Sequence, residues 1–237
     1  MRTEQENPLG TERVGRLLLR LALPAVTAQL VNMLYNIVDR IYIGHIPDVG
    51  AAALTGVGVT FPVIMVIAAF SALIGMGGAP RASIKMGQKD DAGAEEIMGN
   101  CLTVLVGISW LLTAVFLFFG RDLLLLFGAS EDTIGYASSY MNIYVCGTIF
   151  VQLALGMNSF ISSQGFAKTS MITVVIGAAI NIALDPLFIF TFGLGVQGAA
   201  LATILSQAVS AVWVMCFLRG KKTHLRIRRC YLRPKRR

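Results

Sequence analysis

Two aspartates lie in otherwise uncharged, membrane-length stretches. Asp185 is the only charged residue between positions 169 and 218, within Asn181-Ile-Ala-Leu-Asp185-Pro186, and Asp39 closes the uncharged run 21–38. A carboxylate at bilayer depth costs roughly 2.5–3.5 kcal/mol even on the lenient insertion scale, so it normally faces a polar cavity that holds a cation or a proton. Asn181 and Asp185 are four residues apart and share one face if the segment is helical. Thr203, on the following apolar stretch, falls at a similar depth. Two carboxylates, an amide oxygen and a hydroxyl are hard oxygen donors. Together they suit Na+ or an exchangeable proton, because two carboxylates brought together repel until something positive sits between them.

Positioning these groups requires a membrane-spanning scaffold. The 237 residues are 55% hydrophobic and 14% charged, against about 25% charged in an ordinary soluble domain; mean hydropathy is +0.69. A spanning helix takes about 20 apolar residues. Stretches of that kind fall at 17–43, 51–79, 97–119, 133–161, 169–192 and 196–218. The expected fold is all-α, a polytopic six-helix bundle over 1–218, followed by a basic segment, 219–237, that reads as a linker cut short. The first apolar run has no cleavage pattern and reads as a retained span.

Charge placement sets the orientation. With the N-terminus placed inside, eighteen Lys and Arg fall on the cytoplasmic side, and only Arg40 and Arg121 fall outside. That bias places both termini in the cytoplasm. The net charge of +7 comes largely from the ten basic residues at 219–237, and beside a membrane such a segment is drawn to anionic lipid rather than to nucleic acid. Cys101, Cys146 and Cys216 fall in spans and Cys230 in the tail, without disulfide or zinc spacing.

Depth decides whether the polar groups can meet. At about 1.5 Å per residue, Asp185 sits roughly 10 Å below the end of its span near Phe192. Asp39 lies about a turn and a half before Gly44, and Asn181 one turn deeper than Asp185. All four candidates therefore belong to the outer half of the bundle. Pro24, Pro62 and Pro186 are each expected to free a helix carbonyl, those of Arg20, Gly58 and Ile182. Pro24 and Pro186 are the expected kinks near function. Gln29, Asn32 and Asn36 form a polar stripe on the first span, while Gln152, Asn158 and Gln207 are polar positions on later ones. Such residues serve either interhelical hydrogen bonds or a lined pathway.

The combination of segments resembles the opening half of multidrug and toxic compound extrusion (MATE) transporters. The carrying segments are Pro24-Ala-Val-Thr-Ala-Gln-Leu-Val-Asn32 through Asp39 to Gly44, Ala-Leu-Thr-Gly-Val-Gly-Val-Thr-Phe-Pro62, and Asn158-Ser-Phe-Ile-Ser-Ser-Gln-Gly165. Asn181-Ile-Ala-Leu-Asp185-Pro186 and Gly198-Ala-Ala-Leu-Ala-Thr203 complete it. The resemblance implies one lobe of a two-lobe, twelve-helix antiporter that exchanges Na+ or H+ for cationic amphiphilic drugs at the cell membrane, with no cofactor beyond the coupling ion. It implies a cation site at Asp39, Asn181, Asp185 and Thr203, a switch at Pro24, and a substrate path near Tyr35, Asn36 and Asn158. A second lobe, in cis or separately encoded, is the implied partner, and six spans alone lack the opposite wall of a transport cavity. The rival readings are a related flippase for lipid-linked saccharides, an inactive single lobe, and a membrane-embedded aspartyl protease. The protease lacks its Gly-x-Gly-Asp signature, since Ile-Ala-Leu precedes Asp185.

Overall fold

The computed structural model describes residues 14–220 and 223–228. Of the basic residues counted above, Arg2, Arg13, Lys221, Lys222 and those in 229–237 lie outside the described residues, as does Cys230. The described residues form eight α-helices and one π-helical segment. They are α1 (Val14–Gly44), α2 (Gly50–Val59), α3 (Phe61–Gly87), α4 (Asp91–Leu126), α5 (Glu131–Cys146), α6 (Thr148–Ser163), α7 (Ala167–Pro186), the π segment Leu187–Thr191, and α8 (Gly195–Arg219). Among the described residues five spans are long and apolar enough to cross a membrane, and α5 with α6, bent by 57°, counts as a sixth where the pair is taken as one broken span. The chain is an all-α, multi-pass membrane protein.

Three expected spans differ in detail. The second is two helices, because Pro62 falls in the first turn of α3, where a missing N–H costs nothing. Pro62 therefore starts a helix instead of kinking one, and the Thr60 hydroxyl donates to the Val57 carbonyl at the join (2.7 Å). α3 then continues through Pro80 to Gly87, well past the expected end at position 79. The third span is longer than its apolar core, since Asp90 caps α4 by accepting from the Gly93 N–H (2.9 Å). The fourth breaks at Gly147, where the Ile204 side chain occupies the place a Cβ would take.

α1 lies along α7, while α3 packs on α6 and α4, and α8 closes against α6 and α7. The short α2 rests on α5. Two apolar clusters result. One, around Ile43, Val63, Met141 and Ile189, fills the end of the bundle where α1 turns into α2. The other, around Met98, Met157, Phe160 and Leu218, fills the opposite end, here termed the basic end because Lys85, Lys89, Lys168 and Arg219 gather there. Between them Gln152, fully buried, accepts from the Ser71 hydroxyl (2.7 Å) and donates to the Ile67 carbonyl (3.0 Å). Gln152 thus ties α6 to α3.

The segment after α8 is packed onto the lobe. The Gln164 side-chain oxygen accepts from the Thr223 hydroxyl (2.7 Å) and the Leu225 N–H (2.8 Å). Leu225 is fully buried within the basic-end cluster. Glu95, also buried, pairs with the Arg228 guanidinium (2.7 Å) and accepts from the Arg226 N–H (3.2 Å). The packed unit therefore runs beyond position 218, the expected boundary of the bundle.

Candidate functional site

Asp39, Asn181, Asp185 and Thr203 come from three helices and meet in the half of the bundle away from the basic end. Asn181 and Asp185 are fully buried, and Asp39 and Thr203 retain 9% exposure each. Asn181 stands one turn before Asp185 on α7, and its Nδ2 donates to Asp185 Oδ1 (3.3 Å) and to Thr203 Oγ1 on α8 (3.4 Å). The Asp39 carboxyl, carried by α1, faces that of Asp185 within hydrogen-bonding reach. Asp39 Oδ1, Asn181 Oδ1 and Asp185 Oδ2 are buried without a partner.

Local backbone structure explains the arrangement. Pro186 cannot donate to the Ile182 carbonyl, and directly after it the chain widens into the π segment, where the Phe192 N–H reaches back to the Leu187 carbonyl (2.9 Å). Such wide turns are rare and recur at functional positions. The chain then reverses through Gly193 and Gly195, both with positive φ (67° and 54°), a conformation that glycine adopts without penalty. At Gly198 a Cβ would lie 2.7 Å from the Phe188 backbone, so only glycine lets α8 approach the π segment this closely. That approach sets Thr203 beside Asn181.

Arg40, next to Asp39 in the chain, turns its guanidinium toward Phe61, over whose ring it lies 5.5 Å from the centroid, a cation–π placement. Three orphaned buried acceptors would each cost about 1–3 kcal/mol if nothing answered them. A Na+ takes several oxygen ligands, and a proton shared between the carboxyls would supply a donor; both suit this set. Among the described residues no group of three or more His, Cys, Asp or Glu forms a metal site.

Tyr140 was not singled out from the sequence. It is buried on α5 beside Thr203, and its ring stacks on Tyr144 at 6.2 Å. The four-residue spacing of the two tyrosines in an apolar span was the available signal. The other candidates are placed differently. Asn36 is exposed and donates to the carbonyl of Asn32 on its own helix (2.6 Å). Tyr35 and Asn158 line a small cavity among α1, α6, α7 and α8, while Pro24 borders a larger one with Asn32 and Asn158.

Fold and site together define a multi-pass membrane bundle built around a buried carboxylate pair. The MatE family model matches residues 24–187, and the chain belongs to that family. It is 27% identical over 225 residues to the multidrug export protein MepA of Staphylococcus haemolyticus, covering 95% of this chain and 49% of that protein. The MepA of Staphylococcus aureus strain NCTC 8325 is 25% identical, covering 92% and 48%. Among solved structures, an outward-facing multidrug resistance MATE family transporter of the MOP superfamily superimposes with a TM-score of 0.90 at 28% identity, over 100% of this chain and 52% of that one. A MOP superfamily transporter from Pyrococcus furiosus, described as having a binding pocket of reverse polarity that suggests a different function, gives 0.89 at 29% identity, over 100% and 52%. The chain spans about half the length of these relatives.

Proposed function

We propose that the chain forms one lobe of a cation-coupled exporter of cationic amphiphilic drugs. Na+ or a proton binds at Asp39, Asn181, Asp185 and Thr203, and the drug passes between this lobe and a second one. The single observation that carries the reading is the convergence, from three helices, of two carboxylates with an amide and a hydroxyl whose buried oxygens lack partners. The name of the MepA relatives supports the drug-export part. Both termini are cytoplasmic in this reading, on the Lys and Arg asymmetry. α1 presents exposed apolar side chains along its length, among them Leu23, Leu30, Met33 and Leu34, which suits a wall shared with lipid and a second lobe. Coupling follows if ion or proton occupancy favours one arrangement of α1 on α7, with Pro24 and the Pro186 π segment as the deformable points. A lipid-linked saccharide flippase would call for cationic groups facing its cavity; the groups around the buried pair are carboxylates, an amide and a hydroxyl, while Arg81 and Lys85 line a separate cavity of about 820 Å³ between α3 and α4.

Ethidium efflux in cells expressing the native gene product, under imposed Na+ or pH gradients, tests the proposal, together with the intact mass of the expressed protein. Gradient-driven efflux that disappears in Asp185→Asn supports it. Efflux unchanged by that substitution would overturn the site. If the intact product is a lone lobe and exports nothing, the transport activity belongs to an assembly with a separately encoded half.

A further inference from the structure

The cavity between α3 and α4 is charged at one end and apolar at the other. It encloses about 820 Å³, with Arg81, Lys85 and Gln88 along its part nearest the α3–α4 turn and Leu73, Ile74 and Gly77 along its deeper part. From Gln88 to Leu73 it follows α3 for about 22 Å. The hydrocarbon of one leaflet is about 15 Å deep. The cavity therefore runs from the head-group zone into the acyl region of the leaflet at the basic end.

Its charges are available to an anion. Arg81 is exposed and has no carboxylate partner among the described residues. Lys85 pairs with Asp90 (3.0 Å), but both side chains are partly in water, and such a pair yields readily to a better partner. The planar fork of an arginine matches phosphate oxygens, and the lysine adds a second positive charge one turn away. Asn100, on the α4 wall, leaves its Oδ1 buried without a partner. By residue count Arg81 stands roughly 9 Å and Asn100 roughly 13 Å below the turn, so the amide marks the level where phosphate gives way to glycerol and ester groups.

Two adjacent glycines shape the apolar part. A Cβ at Gly78 would strike the Cys101 sulfur and the Phe160 ring, so this glycine lets α3 press onto α4 and α6. A Cβ at Gly77 would meet nothing within 4 Å, so that position is an open floor without a side chain. A free phosphate would leave the apolar length unused, and a neutral lipid would leave Arg81 unanswered.

We propose that this groove binds one anionic phospholipid of the basic-end leaflet, with its phosphate at Arg81 and Lys85 and an acyl chain along Leu73, Ile74 and Gly77. The site is separate from the carboxylate cluster and does not depend on the cation-site reading. It differs from a general attraction of lipid to the basic end in having a fixed place, and that difference can be measured.

Native mass spectrometry of the full gene product, titrated in detergent with phosphatidylglycerol or phosphatidylcholine, counts the bound lipids and gives their affinities. The expected result is one phosphatidylglycerol held at least about fivefold more tightly than phosphatidylcholine, the factor that one interfacial charge supplies. Arg81→Gln should remove that preference. Gly77→Leu, which has room for its side chain, should fill the groove and weaken the tight site about fivefold or more with the melting midpoint unchanged. Lys168→Gln removes a charge from the same end outside the groove and should leave the preference intact. A loss in Lys168→Gln equal to that in Arg81→Gln would overturn the site in favour of diffuse attraction. So would unaltered binding in Gly77→Leu, displacement of the lipid by excess inorganic phosphate, or no tight phosphatidylglycerol at all because another part of the native protein covers the groove.

Discussion

Glu95, near the basic end, is buried and fully answered: Arg228 pairs with one oxygen and the Arg226 N–H bonds the other. Asp39 and Asp185, toward the opposite end, are buried to a similar degree and face each other, with one oxygen of each left unpartnered. The same side-chain chemistry thus serves two purposes. A buried carboxylate with a matched cation and hydrogen bonds is a fastening, and here it holds the segment after α8 against the lobe. Two buried carboxylates without one cost stability, and under the proposed function a bound cation or proton would restore it. Occupancy would then shift conformation at one end while the other stays fixed.

The largest effect expected from breaking this contrast is functional. Asp185→Asn should weaken cation binding by about tenfold or more, which is about 1.4 kcal/mol, as read by 22Na+ binding or by cation-dependent thermal stabilisation. In cation-free buffer the same substitution should leave the melting midpoint unchanged or raise it, because a like charge is removed from beside Asp39. Next comes Gln164→Ala, which strips the buried Thr223 hydroxyl and Leu225 N–H of their acceptor. That should destabilise the lobe by about 2–3 kcal/mol, seen as a lower midpoint. Glu95→Ala should cost about 1–2 kcal/mol, reduced because the Arg228 side chain is 60% exposed and returns to water. Trypsin should then cleave faster at Arg226 or Arg228. The smallest effect belongs to Lys85→Ala, whose pair with Asp90 (3.0 Å) is exposed on both sides and contributes about 0.2–1 kcal/mol. A Glu95→Ala variant that kept its midpoint, beside an Asp185→Asn variant that lost stability without cation, would reverse the assignment of the two neighbourhoods.

Much of the site was legible along the chain. A lone charge in a membrane-length run is visible as composition, and the four-residue spacing of Asn181 and Asp185 translates directly into one helix face. Counting residues from the span ends put Asp39 and Thr203 at matching depth. Tyr140 was hidden because an aromatic in an apolar span reads as filler until its neighbour is known. Asn158 and Tyr35, expected near a substrate path, line an interior cavity; which helices enclose it was not legible, since helical spacing defines a face without saying which helix covers it. Pro62 was expected to interrupt one helix and instead begins a second, because hydropathy does not register which of the two a proline does.

Composition and the order of apolar runs by themselves determined that this chain is a six-span helical bundle, which end of it is basic, and where its isolated carboxylates lie. These properties depend on the transfer of each segment between water and lipid, which is local to the segment. Tertiary structure alone decided that α1 lies along α7, that Asp39 meets Asp185 while Arg40 turns to Phe61, and that Glu95 and Gln164 fasten the residues after α8. Those outcomes depend on which side chains remain unpaired once helices pack, and lipid, equally apolar on every face, leaves that choice to close contacts such as Gly198 against Phe188.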